Sequence, residues 1–189
     1  MELTIENYHR SVLIFIEFLY QLIIGLLPDT VLNLWSDSMD EYEKKLDEYI
    51  KKNHVEAEQL IFHQSCHSVQ EAADAASAKP SDFIKSIVLI SKETIVAIVN
   101  GIDRVDLKKV EKIIGEKLRM ATPKEILERT GYPVGGTPCF GYKARFLLDE
   151  KVMKMEFLYG GGGSTKSLVK TTPSEIVRMT DAEIAEIRK

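Results

Sequence analysis

Cysteine, tryptophan and histidine are scarce in this chain, which has two, one and four of them among 189 residues. Cys66 and Cys139 lie far apart with no CxxC spacing, which excludes a disulfide framework and points to a reducing, cytoplasmic setting. A net positive charge is also missing, since the formal charge is −4. No general basic field is available to coat a long duplex, so DNA is excluded as a partner. The sequence has no repeat and no low-complexity tract. No apolar run reaches the ~20 residues that a bilayer-spanning helix needs. The longest, Val12–Leu27, is interrupted by Glu17 and Gln21 and lacks a small-residue cleavage site. Apolar positions fill nearly all its faces. It reads as a docking helix or interface element, with a membrane-touching helix as the alternative.

The chain is 44% apolar, enough to bury a core without staples. It reads as an N-terminal apolar helical appendage, residues 1–38, followed by one domain, residues 39–189. Charge is unevenly placed. Residues 1–78 carry 5 Lys/Arg and 14 Asp/Glu, whereas residues 79–189 carry 20 and 15. A locally positive face in the latter part can meet a few phosphates.

Tyr42, Leu46, Tyr49 and Ile50 recur at helical spacing after Asp40, and Gln59–His63 reads as a short strand. Ser68-x-x-Glu71 is a capping signature opening an alanine-rich helix. Phe83–Ser91 and Thr94–Val99 are β-branched runs around Lys92-Glu93, which predicts a hairpin. Asp106 and Gly115 bracket one helix, and Thr122-Pro123-x-Glu125 and Gly131 bracket another. Leu118–Ala121 reads as a short strand. Arg145–Asp149 and Val152–Tyr159 are expected to form a second hairpin, and Thr172-Pro173-x-Glu175 to start a last helix. The pattern predicts a compact α/β domain with a mixed sheet.

Several segments offer chemistry. Gly160-Gly-Gly-Gly-Ser-Thr-Lys166-Ser167 nearly matches the phosphate loop GxxxxGK[ST]. However, Thr165 stands at the second glycine position, and a strand-like Leu168-Val169-Lys170 follows where a phosphate-facing helix belongs. What remains is a glycine run ending in Ser164, either a surface loop or a backbone donor site for an anion or ester. His63-x-x-Cys66-His67 would face a metal only if helical, and no third ligand sits at metal spacing. Cys139 paired with a histidine would be a thiol nucleophile, yet ordinary core and polar roles describe these residues better. Gly135-Gly136-Thr137-Pro138 is either a plain turn or a tight wall for a small ligand. Alternation places Lys85 on one strand face with Phe83, Ile87 and Leu89. Its stem either snorkels to the sheet edge or points into a cleft to meet an anion.

Taken in order, these segments resemble the YbaK family of aminoacyl-tRNA deacylase domains, which also occur inserted in bacterial prolyl-tRNA synthetases. The resemblance rests on His67-Ser68 with Glu71-Ala72-Ala73, Ile84-Lys85-Ser86-Ile87-Val88 and Val105-Asp106-Leu107-Lys108-Lys109. It continues through Thr130-Gly131-Tyr132-Pro133-Val134-Gly135-Gly136-Thr137-Pro138, Phe140-Gly141, Gly160–Ser164, Leu168 and Pro173. It covers roughly residues 55–180. It implies a mostly antiparallel, barrel-like sheet surrounded by helices, with Lys85 as the essential lysine. It also implies a substrate pocket formed by His67, by Gly135, Gly136, Thr137 and Pro138, and by Gly161, Gly162, Gly163 and Ser164. Neither a cofactor nor a metal is implied. The family loop usually reads GGxSP, whereas here Cys139 holds the last proline position and the proline is one place earlier. That departure bears on amino-acid specificity.

The activity so implied is trans-acting hydrolysis of a mischarged tRNA at its acceptor end, with prolyl-tRNA synthetase as a partner. An aminoacyl ester is already activated, so lysine-assisted positioning and oxyanion stabilisation suffice. One methylene is worth only ~1–3 kcal/mol in discrimination. Ala or Cys on tRNA(Pro) are therefore the expected targets, with Ser behind them. The alternative is a non-catalytic module that binds a tRNA end or nucleotide and regulates a synthetase.

Overall fold

A computed structural model describes residues 40–189. The Val12–Leu27 segment and the division at residue 38 lie outside the described residues. Helix starts follow the capping chemistry in the sequence. In α1 (Glu41–Lys52) the Asp40 carboxylate accepts from the N–H groups of Tyr42 and Glu43, and the Glu43 carboxylate accepts from Asp40 N–H. Ser68 caps α2 (Val69–Ala76), Asp106 caps α3 (Leu107–Ile114), Thr122 caps α4 (Pro123–Thr130) and Thr172 caps α5 (Pro173–Thr180). Each cap satisfies a donor that the helix leaves unpaired.

The strands are β1 (Glu58–Ile61), β2 (Ile84–Ile90), β3 (Thr94–Asn100), β4 (Arg119–Met120), β5 (Arg145–Asp149), β6 (Leu158–Gly161), β7 (Ser167–Thr171) and β8 (Glu183–Ala185). They form two sheets, ordered β4-β2-β3-β5-β8 and β1-β7-β6. The β2–β3 hairpin is antiparallel from Ile84 opposite Asn100 to Ile90 opposite Thr94. The β3–β5 and β5–β8 pairs are parallel. The fold is therefore mixed α/β with mostly antiparallel pairing, as expected. The sheets meet at one bridge, Phe83 with Tyr159, and stay open instead of closing into a barrel.

The second hairpin does not form. Both edges of β5 are taken by parallel partners, Val152–Lys154 is a 3₁₀ turn, and β6 leaves to pair with β7 in the other sheet. The cause is visible in β5 itself, whose Phe146, Leu147 and Leu148 are all buried. A strand apolar on both faces suits a covered parallel position better than a half-exposed hairpin arm. The hairpin in that region is β6–β7, turning through residues 162–166.

The five-stranded sheet is covered on both faces. On one, Val88, Val96, Ile98, Phe146 and Leu148 pack with Leu46 of α1, Phe140 and Ile176 of α5. On the other, Leu89, Ile95, Ala97, Val99 and Leu147 pack with Val110 of α3 and with Ile187. A third cluster joins Ala72 and Ala73 of α2 to Cys66, Phe83 and Leu168. Each such large side chain contributes about 1.5–3 kcal/mol on burial. The rigidity this gives to β2 matters, because β2 carries the lysine.

Candidate active site

Alternation along β2 sends Ile84 and Val88 into the larger core and puts Ile87 and Leu89 on the face beneath α3. Lys85 belongs to that second face and is only half-buried. It sits where the sheet face opens, one step from Phe83, whose ring stacks on Tyr159 at 5.0 Å. Among the described residues its ammonium makes no ion pair or hydrogen bond. Burial is the main cause that lowers its pKa below the usual lysine value. The nearby Arg104 charge acts in the same direction and Asp103 partly opposes both.

Lys85 lines a cleft of about 300 Å³. Ile84, Ser86 and Val88 continue the β2 wall. The segment Cys66–Val69 and Ala72 of α2 close one side, and Met120, Ala121 and Ile126 another. Val134, Gly135 and Thr137 face Gly160, Gly161 and Leu168 across the remainder. The interior is mainly apolar, and its polar side chains are those of Lys85, Ser86, His67, Ser68 and Thr137.

The two glycine loops are stitched to each other. Gly163 N–H donates to Gly136 O at 2.9 Å. A Cβ on Gly161 would lie 2.5 Å from Thr137 O, and one on Gly136 would lie 2.6 Å from Gly163 O. These glycines are required because backbone meets backbone there. Gly135 has φ +84°, and a Cβ on it would also strike His67 Nδ1 at 2.4 Å.

Behind the seam, Ser164 Oγ donates to the buried Glu43 carboxylate of α1, and Gln59 Nε2 donates to the carbonyls of Glu43 and Gly162. The four-glycine run is thus built into the fold. Gly136, Gly162, Gly163 and Ser164 spend their N–H groups on Pro133 O, Ser167 O, Gly136 O and Ser167 Oγ. Among the described residues, the N–H groups of Gly135 and Thr137 meet no acceptor.

Of the residues singled out in the sequence, the cleft therefore brings together Lys85, His67, Gly135, Thr137 and Gly161. Gly136, Pro138, Gly162, Gly163 and Ser164 stand behind its wall. Pro138 contributes only a carbonyl, which accepts from Tyr142 OH at 2.9 Å.

The near-match to a phosphate loop resolves as expected, since Lys166 is exposed and β7 begins at Ser167 with no helix. His63 and His67 lie on an irregular segment, both exposed. Cys139 is fully buried in the main core, and burial pushes its thiol up to about 12, so it is no thiolate at neutral pH. Cys139 thus takes the core role expected of it.

Wall residues Cys66, Val69, Ala72, Ile126 and Val134 were not anticipated from the sequence. The spacing of Val69 and Ala72, which share a face of α2, was the available signal. Arg104 was also missed, because its nearness to Lys85 is a tertiary fact.

The cleft is mainly apolar, with a glycine wall and an ammonium that has no ion-pair partner among the described residues. Residues 63–179 match the aminoacyl-tRNA editing domain family, and the chain belongs to it.

Its relatives include a protein of Enterococcus faecalis (strain ATCC 700802 / V583) provisionally named Cys-tRNA(Pro)/Cys-tRNA(Cys) deacylase EbsC. That protein is 27% identical over 64% of this chain and 76% of its own. The proline–tRNA ligase of Kosmotoga olearia (strain ATCC BAA-1733 / DSM 21960 / TBF 19.5.1) is 30% identical over 67% of this chain but only 22% of that enzyme. A crystal structure described as a provisional trans-editing enzyme for prolyl tRNA synthetase superposes with a TM-score of 0.74 at 28% identity. It covers 80% of this chain and 99% of that one. Among the described residues no helix is long and apolar enough to cross a membrane.

Proposed function

We propose that this chain hydrolyses the ester of a mischarged tRNA in trans, with Ala- or Cys-tRNA(Pro) as substrate and Lys85 as the residue that holds the reacting end. The observation that carries this reading is the Lys85 ammonium, without an ion-pair partner among the described residues, on the rim of a mainly apolar cleft of about 300 Å³. The family and the names of its relatives support the reaction class. The amino-acid side chain enters among Ile84, Ala72 and Leu168, while Lys85 holds the ester carbonyl by a charge-assisted hydrogen bond.

Water attacks that carbonyl carbon and the carbon–ribose oxygen bond breaks, releasing the free amino acid and a free ribose hydroxyl. The oxyanion formed on the way is met by Lys85 and by the open N–H groups of Gly135 and Thr137. These are fewer backbone donors than two exposed glycine loops would offer, which concentrates the task on Lys85. Cys139 packs behind Gly160 and leaves the pocket wall without a proline at its own position.

A panel of tRNA(Pro) charged with Ala, Cys, Ser or Pro tests the substrate. Release of Ala or Cys is expected to exceed release of Pro by ~10-fold or more, the scale of discrimination that one or two methylenes allow. Equal release of all four would contradict a size-selecting cleft.

A further inference from the structure

Lys85 faces a second cleft on its other side. It is about 590 Å³ in volume and is lined by Lys85, Arg104, Lys108 and Lys189 together with Asp103 and Asp106. Both carboxylates are already engaged. Asp103 accepts from the Lys151 ammonium at 2.8 Å, and Asp106 accepts from the N–H groups of Lys108 and Lys109 at the start of α3. Lys109, next along the helix, is held by Glu186 and by Arg188 O. Among the described residues, Lys85, Arg104 and Lys108 have no ion-pair partner. Like charges collected around one opening repel one another, and an anion placed between them relieves that repulsion.

The backbone that carries them is fixed. Lys189 N–H donates to Arg104 O at 2.9 Å. The fully buried Asp149 holds the same terminal segment through Ile187 N–H, Arg188 N–H and the Arg188 guanidinium. Arg104 therefore projects from the connection between β3 and α3, which is tied down at Lys189, and Lys108 from the first turn of α3.

The two clefts share Lys85, Ile87 and Met120. Both are mainly apolar, and the second adds Arg104 and Lys108, which have no ion-pair partner among the described residues, to the shared Lys85. We infer that the second cleft takes phosphates of the single-stranded 3′ end of the tRNA. Arg104 and Lys108 hold the backbone one or two nucleotides before the terminal adenosine while its acyl group lies in the first cleft. This rests on the deacylase reading and extends it to the nucleic-acid side. It also explains how a chain with net charge −4 engages RNA: two or three focused phosphate contacts suffice where a basic coat is absent.

The test uses the full chain and a fluorescein-labelled single-stranded RNA ending in CCA, with binding read by anisotropy across a salt series. Arg104→Ala/Lys108→Ala is expected to weaken binding by roughly tenfold and to flatten the salt slope by about 0.7 per lost phosphate contact. Arg104→Lys/Lys108→Arg keeps both charges and is expected to restore most of the affinity, which separates loss of charge from loss of fold. In hydrolysis, the loss caused by the double alanine variant is expected to be at least tenfold larger on mischarged tRNA than on alanyl-adenosine, which carries no upstream phosphate. Parallel losses on the two substrates would overturn the proposal. So would unchanged RNA binding, or displacement of the RNA by inorganic phosphate as effective as displacement by unlabelled RNA. RNA binding that depends on Arg104 and Lys108, in a protein that releases no amino acid, would uphold this cleft and end the deacylase reading instead.

Discussion

Lys85→Ala is expected to lower deacylation of mischarged tRNA(Pro) by at least ~10²–10³-fold, the cost of losing one oxyanion donor, while leaving the fold intact. The two halves of that expectation have separate grounds. The activity loss follows from how few donors are open at the cleft, since four of the six loop N–H groups considered above already have acceptors at Pro133, Gly136 and Ser167.

Persistence of the fold follows because Lys85 is half-exposed and holds no hydrogen bond or ion pair among the described residues, and its electrostatics point the same way. Its pKa is lowered, by burial first and then by Arg104, so folding disfavours its charged form. A lysine with a depressed folded pKa weakens the fold at pH values below that pKa, and the penalty fades as pH rises towards the unfolded value. Replacing it with Met is therefore expected to give a denaturant midpoint equal to or above that of the wild type at neutral pH. An activity loss accompanied by a comparable loss of stability would assign Lys85 a structural role.

Gly161→Ala is the second large effect. Gly161 lies in β6 and faces the Gly135–Thr137 loop. Its new Cβ would sit 2.5 Å from Thr137 O and 2.8 Å from Gly136 C and O. Those are backbone atoms, so neither side can rotate away as a side chain would. The β6 strand and the loop must separate, costing about 1–3 kcal/mol of stability, as overpacking does. The movement displaces the Gly135 and Thr137 N–H groups relative to Lys85. A shift near 1 Å in a positioned site can cost ~10² in rate. Paired measurements of kcat/KM and the urea midpoint would register both effects. Wild-type activity in this variant would show that the seam does not set the site.

Much of this arrangement is legible in the sequence because it is local. The caps Ser68, Asp106, Thr122 and Thr172 are satisfied within a few residues of themselves. The β2–β3 hairpin declares itself through β-branched runs and a short polar turn. Lys85 stands out because an ammonium among Phe83, Ile87 and Leu89 conflicts with the strand's own pattern.

What escapes is what depends on the partner of each strand. Arg145–Asp149 has the length of a hairpin arm, but parallel neighbours on both sides decide its place. The glycine run looks like an open donor loop, and only packing against Tyr42, Glu43 and Gly136 reveals it as a seam. Arg104 comes beside Lys85 through the return of the chain after β3, a proximity that no spacing in the sequence encodes.

The most direct measurement is a structure of the protein with an alanyl-adenosine analogue joined through a 3′-amide, which resists hydrolysis. The expected result places the alanyl methyl group against Ile84 and Ala72, with the amide carbonyl within hydrogen-bonding distance of Lys85 Nζ and facing Gly135 and Thr137. An analogue seated elsewhere, with Lys85 turned to solvent, would contradict the account.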